Sequence, residues 1–251
     1  MFPVIQVGPI AMQVPGLIWL LGFWLGTTLS EKHAHRFGIE AKHISNMVLL
    51  ALVSGIVGAR LSYLLRYPQA FMADPKSILS LNPGLLDSSG GLIVAILISA
   101  IFLQRKKIDY WAALDALTPL FMILIISSSL ANLASGAGYG APTRMPWGTE
   151  LWEEIRHPSQ IYSLVAGLAV LLALFPGRGL AQSYARGVYF LTMVSLTAGW
   201  TIFLEVYRGD SSLLLGGYRT SQVIAFIILV GSLIALNRKF RSPPIGTIEE
   251  M

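Results

Sequence analysis

The chain has 251 residues, of which 54% are hydrophobic and 12% charged, with a formal net charge of +5 and a mean hydropathy of +0.64. Soluble domains carry about 25% charged residues, so this composition excludes an ordinary soluble fold. Continuous apolar runs approaching the ~20 residues that cross a bilayer core also exclude a barrel of short alternating strands.

The chain has no cysteine, which rules out disulfides, thiolate nucleophiles and cysteine metal sites. The basic residues lie in short clusters between apolar runs, the pattern of membrane topology rather than of nucleic-acid binding.

A short amphipathic start, FPVIQVGPIAMQV, leads into the first predicted span, 15–29. No cleaved leader is expected, because the start lacks a basic segment. The connector EKHAHRFGIEAKH holds His33, His35 and His43. An i, i+2 spacing splits two helical side chains between faces, and no carboxylate partner is evident, so it reads as a solvated connector rather than a metal site.

The second span, 44–65, contains Gly55, Gly58 and Ala59, small residues that permit close helix approach. It also contains Arg60. A cation in an apolar run marks either a functional site or a helix end whose arginine reaches the headgroups, and both readings stay open. A proline-containing loop, 66–87, precedes the third span at 88–103. The fourth, 110–130, carries Asp115, expected to cap or pair near the boundary, and Pro119, expected to kink the helix.

The interval 127–162 is the longest polar stretch. It is rich in glycine, crosses Pro142, Pro146 and Trp147, and collects Arg144, Glu150, Glu153, Glu154, Arg156 and His157. Chemistry is expected in or beside it. The remaining spans are 160–175, 187–206 and 220–236, and a tail, 242–251, is expected to be disordered.

The connectors 31–43, 104–110, 177–187 and 237–241 hold eleven Lys/Arg, against six in the opposite-side segments. The bias puts the first set in the cytoplasm. The expectation is an all-α polytopic membrane protein, a single integral membrane domain over 1–251. It has about seven transmembrane helices, the N-terminus outside, the C-terminus inside and a small outward-facing head.

With the segments placed, a series of phrases resembles the prolipoprotein diacylglyceryl transferase family in collinear order. They are VGPIAMQVPGLIWLLGFWLG, GARLSYLL, SSGGLIVAIL, ALDALTPL, SLANLASGAGYGAPTRMPWG, HPSQIY and FLEVYRGD. The likeness covers nearly the whole chain, with 131–157 as its signature region. The resemblance implies a multi-pass enzyme of the bacterial plasma membrane. Such enzymes move the diacylglyceryl group of phosphatidylglycerol onto a lipobox cysteine of a preprolipoprotein, with no metal, cofactor or nucleic acid.

The family's pattern is matched at Arg60, Asn132, Tyr139, Gly140, His157, Pro158, Gln160, Tyr162, Glu205, Arg208 and Gln222. From these come the expected roles. Glu205 and His157 are candidate catalytic groups; Arg60, Asn132, Tyr139 and Arg208 are candidate substrate and phosphate contacts, with Arg144 a possible substitute cation. Guanidinium groups suit phosphate oxygens, and a histidine or carboxylate suits a thiol proton.

The chain departs from the pattern elsewhere. The family's histidine aligns with Ser89, two of its arginines with Ser129 and Thr201, a glycine with Ala131 and a glutamate with Ala137. The alternative implied by these departures is a catalytically degenerate relative that binds lipid or a partner protein.

Overall fold

The computed structural model describes residues 4–7, 10–73, 83–151, 153–174, 185–214 and 217–241. The expected disordered tail lies outside them, as do part of the proline-containing loop 66–87 and part of the connector after the fifth span.

The N-terminal segment pairs as two antiparallel strands, β1 (Val4–Val7) and β2 (Ile10–Gln13), with Val4 opposite Gln13. Branched residues at Val4, Ile5, Val7 and Ile10 suit an extended, paired backbone, which the amphipathic reading of this segment did not specify. Helix α1 (Val14–Ala34) follows, with a proline in its first turn, where its missing N–H costs no bond. Then come α2 (Ala41–Arg66) and the short α3 (Pro68–Ala73), a helix inside the stretch expected to be loop.

Helix α4 (Ser88–Lys106) starts where the Asp87 carboxylate accepts the Ser89 N–H, the usual way to satisfy a free helix donor. Helix α5 (Tyr110–Ser135) is capped alike by Asp109 and ends at Gly136, φ +81°. Two short strands, β3 (Thr149–Leu151) and β4 (Glu154–Arg156), form a second hairpin. The chain closes with α6 (Ser159–Ala173), α7 (Val188–Leu204) and α8 (Thr220–Arg241).

Each predicted apolar run therefore falls on a helix, and the protein is a mostly helical membrane protein, with two small hairpins among the described residues. Helices α2, α4, α5, α7 with its following turn, and α8 are long and apolar enough to cross a membrane. Helix α6 is apolar but shorter.

Helix α5 is the most buried of the long apolar helices and packs against α1, α6 and α7, while α2 pairs with α4 and α7 with α8. The expected close approach through small residues is seen between α2 and α4. A methyl group at Gly58 would stand 2.5 Å from the Val94 Cβ. Helix α5 runs on through Pro119, and the next N–H, of Leu120, donates to Ser30 Oγ of α1 at 3.1 Å.

Asp115 has the structural role expected of it. Its carboxylate accepts the N–H of Gly187 at 2.6 Å and of Phe190 at 2.8 Å, tying α5 to the first turn of α7.

Candidate active site

Four helix ends converge at one end of the bundle: the C-terminal ends of α5 and α7 and the N-terminal ends of α6 and α8. They enclose a polar cavity of about 290 Å³. Ser128, Ser129 and Asn132 reach it from α5, and Ser159, Gln160 and Ser163 from α6. Thr201, Glu205 and Arg208 come from α7 and the turn after it, and Ser221 from α8.

A second, apolar cavity of about 810 Å³ runs along α5, α7 and α8, lined by Phe121, Leu124, Phe190, Met193, Ile224 and Ile228 among others. The two share Ile125, Ser128, Thr201 and Ser221 as walls. Polar head space thus adjoins apolar tail space, the division that an amphiphile requires.

Local backbone geometry builds the rim. The turn after α5 passes through Gly138 at φ +63°, a left-handed conformation that glycine adopts without steric cost. The carbonyl of Gly138 accepts the Ser159 hydroxyl at 2.7 Å, and that of Ala137 accepts Gln160 Nε2 at 3.0 Å. These bonds fix the loop to the start of α6.

The same loop clasps the end of α7. Gly140 forms an antiparallel bridge with Arg208, in which the Gly209 N–H donates to the Tyr139 carbonyl and the Ala141 N–H to the Tyr207 carbonyl, each at 2.8 Å. On the other side the His157 N–H donates to the Ala141 carbonyl at 3.0 Å.

The charged members of the site form a short chain. Glu205 is 3% exposed; its Oε1 accepts the Ser211 hydroxyl at 2.7 Å, and its Oε2 lies 3.8 Å from Arg208 Nη1. Arg208 places its other edge on Asp210, with Nε donating to Oδ1 at 3.0 Å and Nη2 to Oδ2 at 3.1 Å. The hydrogen bonds from Arg208 to Asp210 raise the guanidinium above its already high ordinary pKa. Arg219 braces the turn by donating to the carbonyls of Arg208 and Val206 and to Ser211 Oγ.

Of the candidate catalytic and substrate residues expected from the sequence, Asn132, Glu205 and Arg208 meet on the cavity wall, with Gln160 of the family pattern. Ser129 and Thr201, at positions where the resemblance places arginines, line it too. The other candidates lie elsewhere. The Tyr139 ring faces the Arg156 guanidinium, whose carbon is 5.1 Å from the ring centroid. His157 accepts or donates at Nδ1 with the Tyr162 hydroxyl, 3.2 Å away, and packs edge-on to Tyr207. Arg144 is exposed on the loop before β3.

Arg60 donates to the Leu85 carbonyl at 3.1 Å beside the α2–α4 pair, where Ser62 and Ser89 donate to Asp87. None of these residues is on the cavity wall. Sequence reasoning missed Ser128, Ser163, Ser221, Asp210 and Arg219. The serines carry no signal in a single apolar helix, whereas the Arg208–Gly209–Asp210 spacing did offer a visible ion pair.

Comparison with known proteins agrees with the resemblance. Residues 3–238 match the family model described as prolipoprotein diacylglyceryl transferase. Three similar curated proteins bear the name phosphatidylglycerol–prolipoprotein diacylglyceryl transferase. One, from Bordetella parapertussis, is 29% identical over 178 residues, 68% of each chain. Another, from Clostridioides difficile, is 28% identical over 222 residues, 88% of each chain. The third, from an Azoarcus species, is 28% identical over 244 residues, 92% of each chain.

Proposed function

The chain belongs to the prolipoprotein diacylglyceryl transferase family, and from that premise we propose that it binds phosphatidylglycerol and transfers its diacylglyceryl group to a lipobox cysteine. The observation that carries this reading is the shared wall between the polar cavity and the apolar groove. The headgroup enters the first, and the acyl chains lie along the second.

In the reaction, the cysteine sulfur attacks the glycerol carbon that bears the phosphate. A C–S bond forms as the C–O bond breaks, glycerol phosphate leaves, and the thiol proton passes to a base. Arg208 contacts the phosphate and offsets charge on the leaving group. Glu205 orients Arg208 and is the carboxylate on the cavity wall that can take the proton, while Asn132 supplies a neutral hydrogen bond to the lipid head. Tyr139 and His157 act from outside the cavity, by holding the loop that forms its rim.

We further propose that α1 and α6 also cross the bilayer, giving one membrane domain of seven spans in the bacterial plasma membrane. Basic residues then lie at the cytoplasmic ends, and the cavity and its hairpin face outward.

A second reading has its own support. Ser129 and Thr201 put hydroxyls on the wall, leaving Arg208 as the guanidinium among its described residues. Losing one contact to a developing oxyanion costs roughly 100- to 1,000-fold in rate. A chain lacking two could bind lipid or a partner protein without transferring anything.

Expression in a strain depleted of its own transferase separates the two. Lipid attached to a lipobox substrate, lost on Arg208→Ala, supports transfer. A well-expressed, membrane-inserted chain that attaches none rejects transfer and leaves the binding reading.

A further inference from the structure

We propose that Asp210 determines what this site accepts. Its carboxylate occupies the two-donor edge of Arg208, the edge best matched to phosphate oxygens, so an anionic headgroup that takes this edge does so by exchange with Asp210. The inference rests on the phosphatidylglycerol reading above and adds a residue to which that reading gives no part.

The geometry is specific. Asp210 meets Arg208 through both of its oxygens, at 3.0 and 3.1 Å, using the Nε–Nη2 edge of the guanidinium. Paired donors of this kind suit carboxylate and phosphate oxygens alike, so the two anions compete for one edge. The remaining nitrogen, Nη1, already faces Glu205 at 3.8 Å. Arg219, the neighbouring cation, donates to two carbonyls and a hydroxyl.

The formal charges of Glu205, Arg208, Asp210 and Arg219 sum to zero, and removing the Asp210 charge leaves the cluster positive. A phosphodiester gains from that change, whereas a neutral lipid does not.

Exchange is feasible because the pair is partly open to water. The Arg208 side chain is 36% and the Asp210 side chain 25% exposed, so an incoming anion can reach the guanidinium and replace one set of charge-assisted bonds with another. The backbone between them stays fixed. Gly209 donates to the Tyr139 carbonyl, and a methyl group at Gly209 would stand 2.7 Å from the Gly140 carbonyl oxygen. Asp210 can therefore rotate away while Arg208 keeps its position.

The test uses the full-length protein in detergent, titrated with phosphatidylglycerol and with diacylglycerol of the same acyl chains, for wild type and Asp210→Asn. The amide keeps the shape and removes the charge. Phosphatidylglycerol is expected to bind the variant roughly three- to tenfold tighter, with diacylglycerol unchanged. Asp210→Ser, with the same expectation, serves if the amide variant does not fold.

Phosphatidylglycerol affinity that stays the same or falls, with diacylglycerol still bound, overturns the role of Asp210 and leaves the lipid-site reading standing. Failure of folded wild type and variant to bind either lipid overturns both.

Discussion

Gly140 and Arg208 face each other across an antiparallel bridge, although 68 positions separate them by number. The bridge makes one unit of the glycine-rich loop and the end of α7, and it carries the Arg208 side chain to the cavity wall. A methyl group at Gly140 would stand 2.1 Å from the His157 carbonyl oxygen, a backbone atom that cannot rotate aside. Gly140→Ala is therefore expected to cost about 1–3 kcal/mol of stability and to weaken lipid binding along with it. Thermal unfolding in detergent and lipid titration of the surviving folded fraction check both.

Ser129 and Thr201 line the same cavity, whose volume of about 290 Å³ offers space for longer side chains. Placing arginine at both, Ser129→Arg with Thr201→Arg, is expected to raise lipid transfer by about 100-fold or more over wild type. Attachment of labelled diacylglyceryl to a lipobox peptide measures it. No gain in a folded double variant would show that the missing guanidinium groups are not what limits the reaction.

Asp115 is far from this cavity in role. Both of its oxygens accept backbone N–H groups at the start of α7, and Asp115→Asn replaces one acceptor with a donor. A loss of about 1–3 kcal/mol is expected, with unchanged lipid affinity in the protein that remains folded. The contrast between unfolding temperature and binding constant tests this.

Asp87 gives a pH dependence. Hydrogen bonds from Ser62, then from Ser89, hold its carboxyl below the ordinary aspartate value. The folded state therefore takes up this proton less readily than the unfolded state. The resulting stability is fully present above the ordinary aspartate range and is lost as pH falls through the lowered value. Unfolding followed from neutral to strongly acidic pH should show this decline, and Asp87→Asn should reduce it.

The helices were legible in the sequence because a bilayer leaves the chain little choice. Long apolar runs must satisfy their own backbone bonds, and caps such as Asp109 and breaks such as Gly136 mark the ends. The N-terminal hairpin and α3 were not read, because short segments carry too little periodicity to separate strand, helix and loop.

For the site, composition, basic clusters and collinear phrases determined a helical membrane protein, its family and a shortlist of polar residues. Only the tertiary structure decided which of them share a cavity. Asn132, Glu205 and Arg208 meet there because four helix ends converge, while Arg60, Tyr139, Arg144 and His157 are held apart from its wall. The reason is physical. Hydropathy and spacing act along the chain and select helices, whereas a site depends on which helix ends and faces pack together. That is set by close contacts such as Gly140 on His157, and by the bridge from Gly140 to Arg208, between residues far apart in sequence.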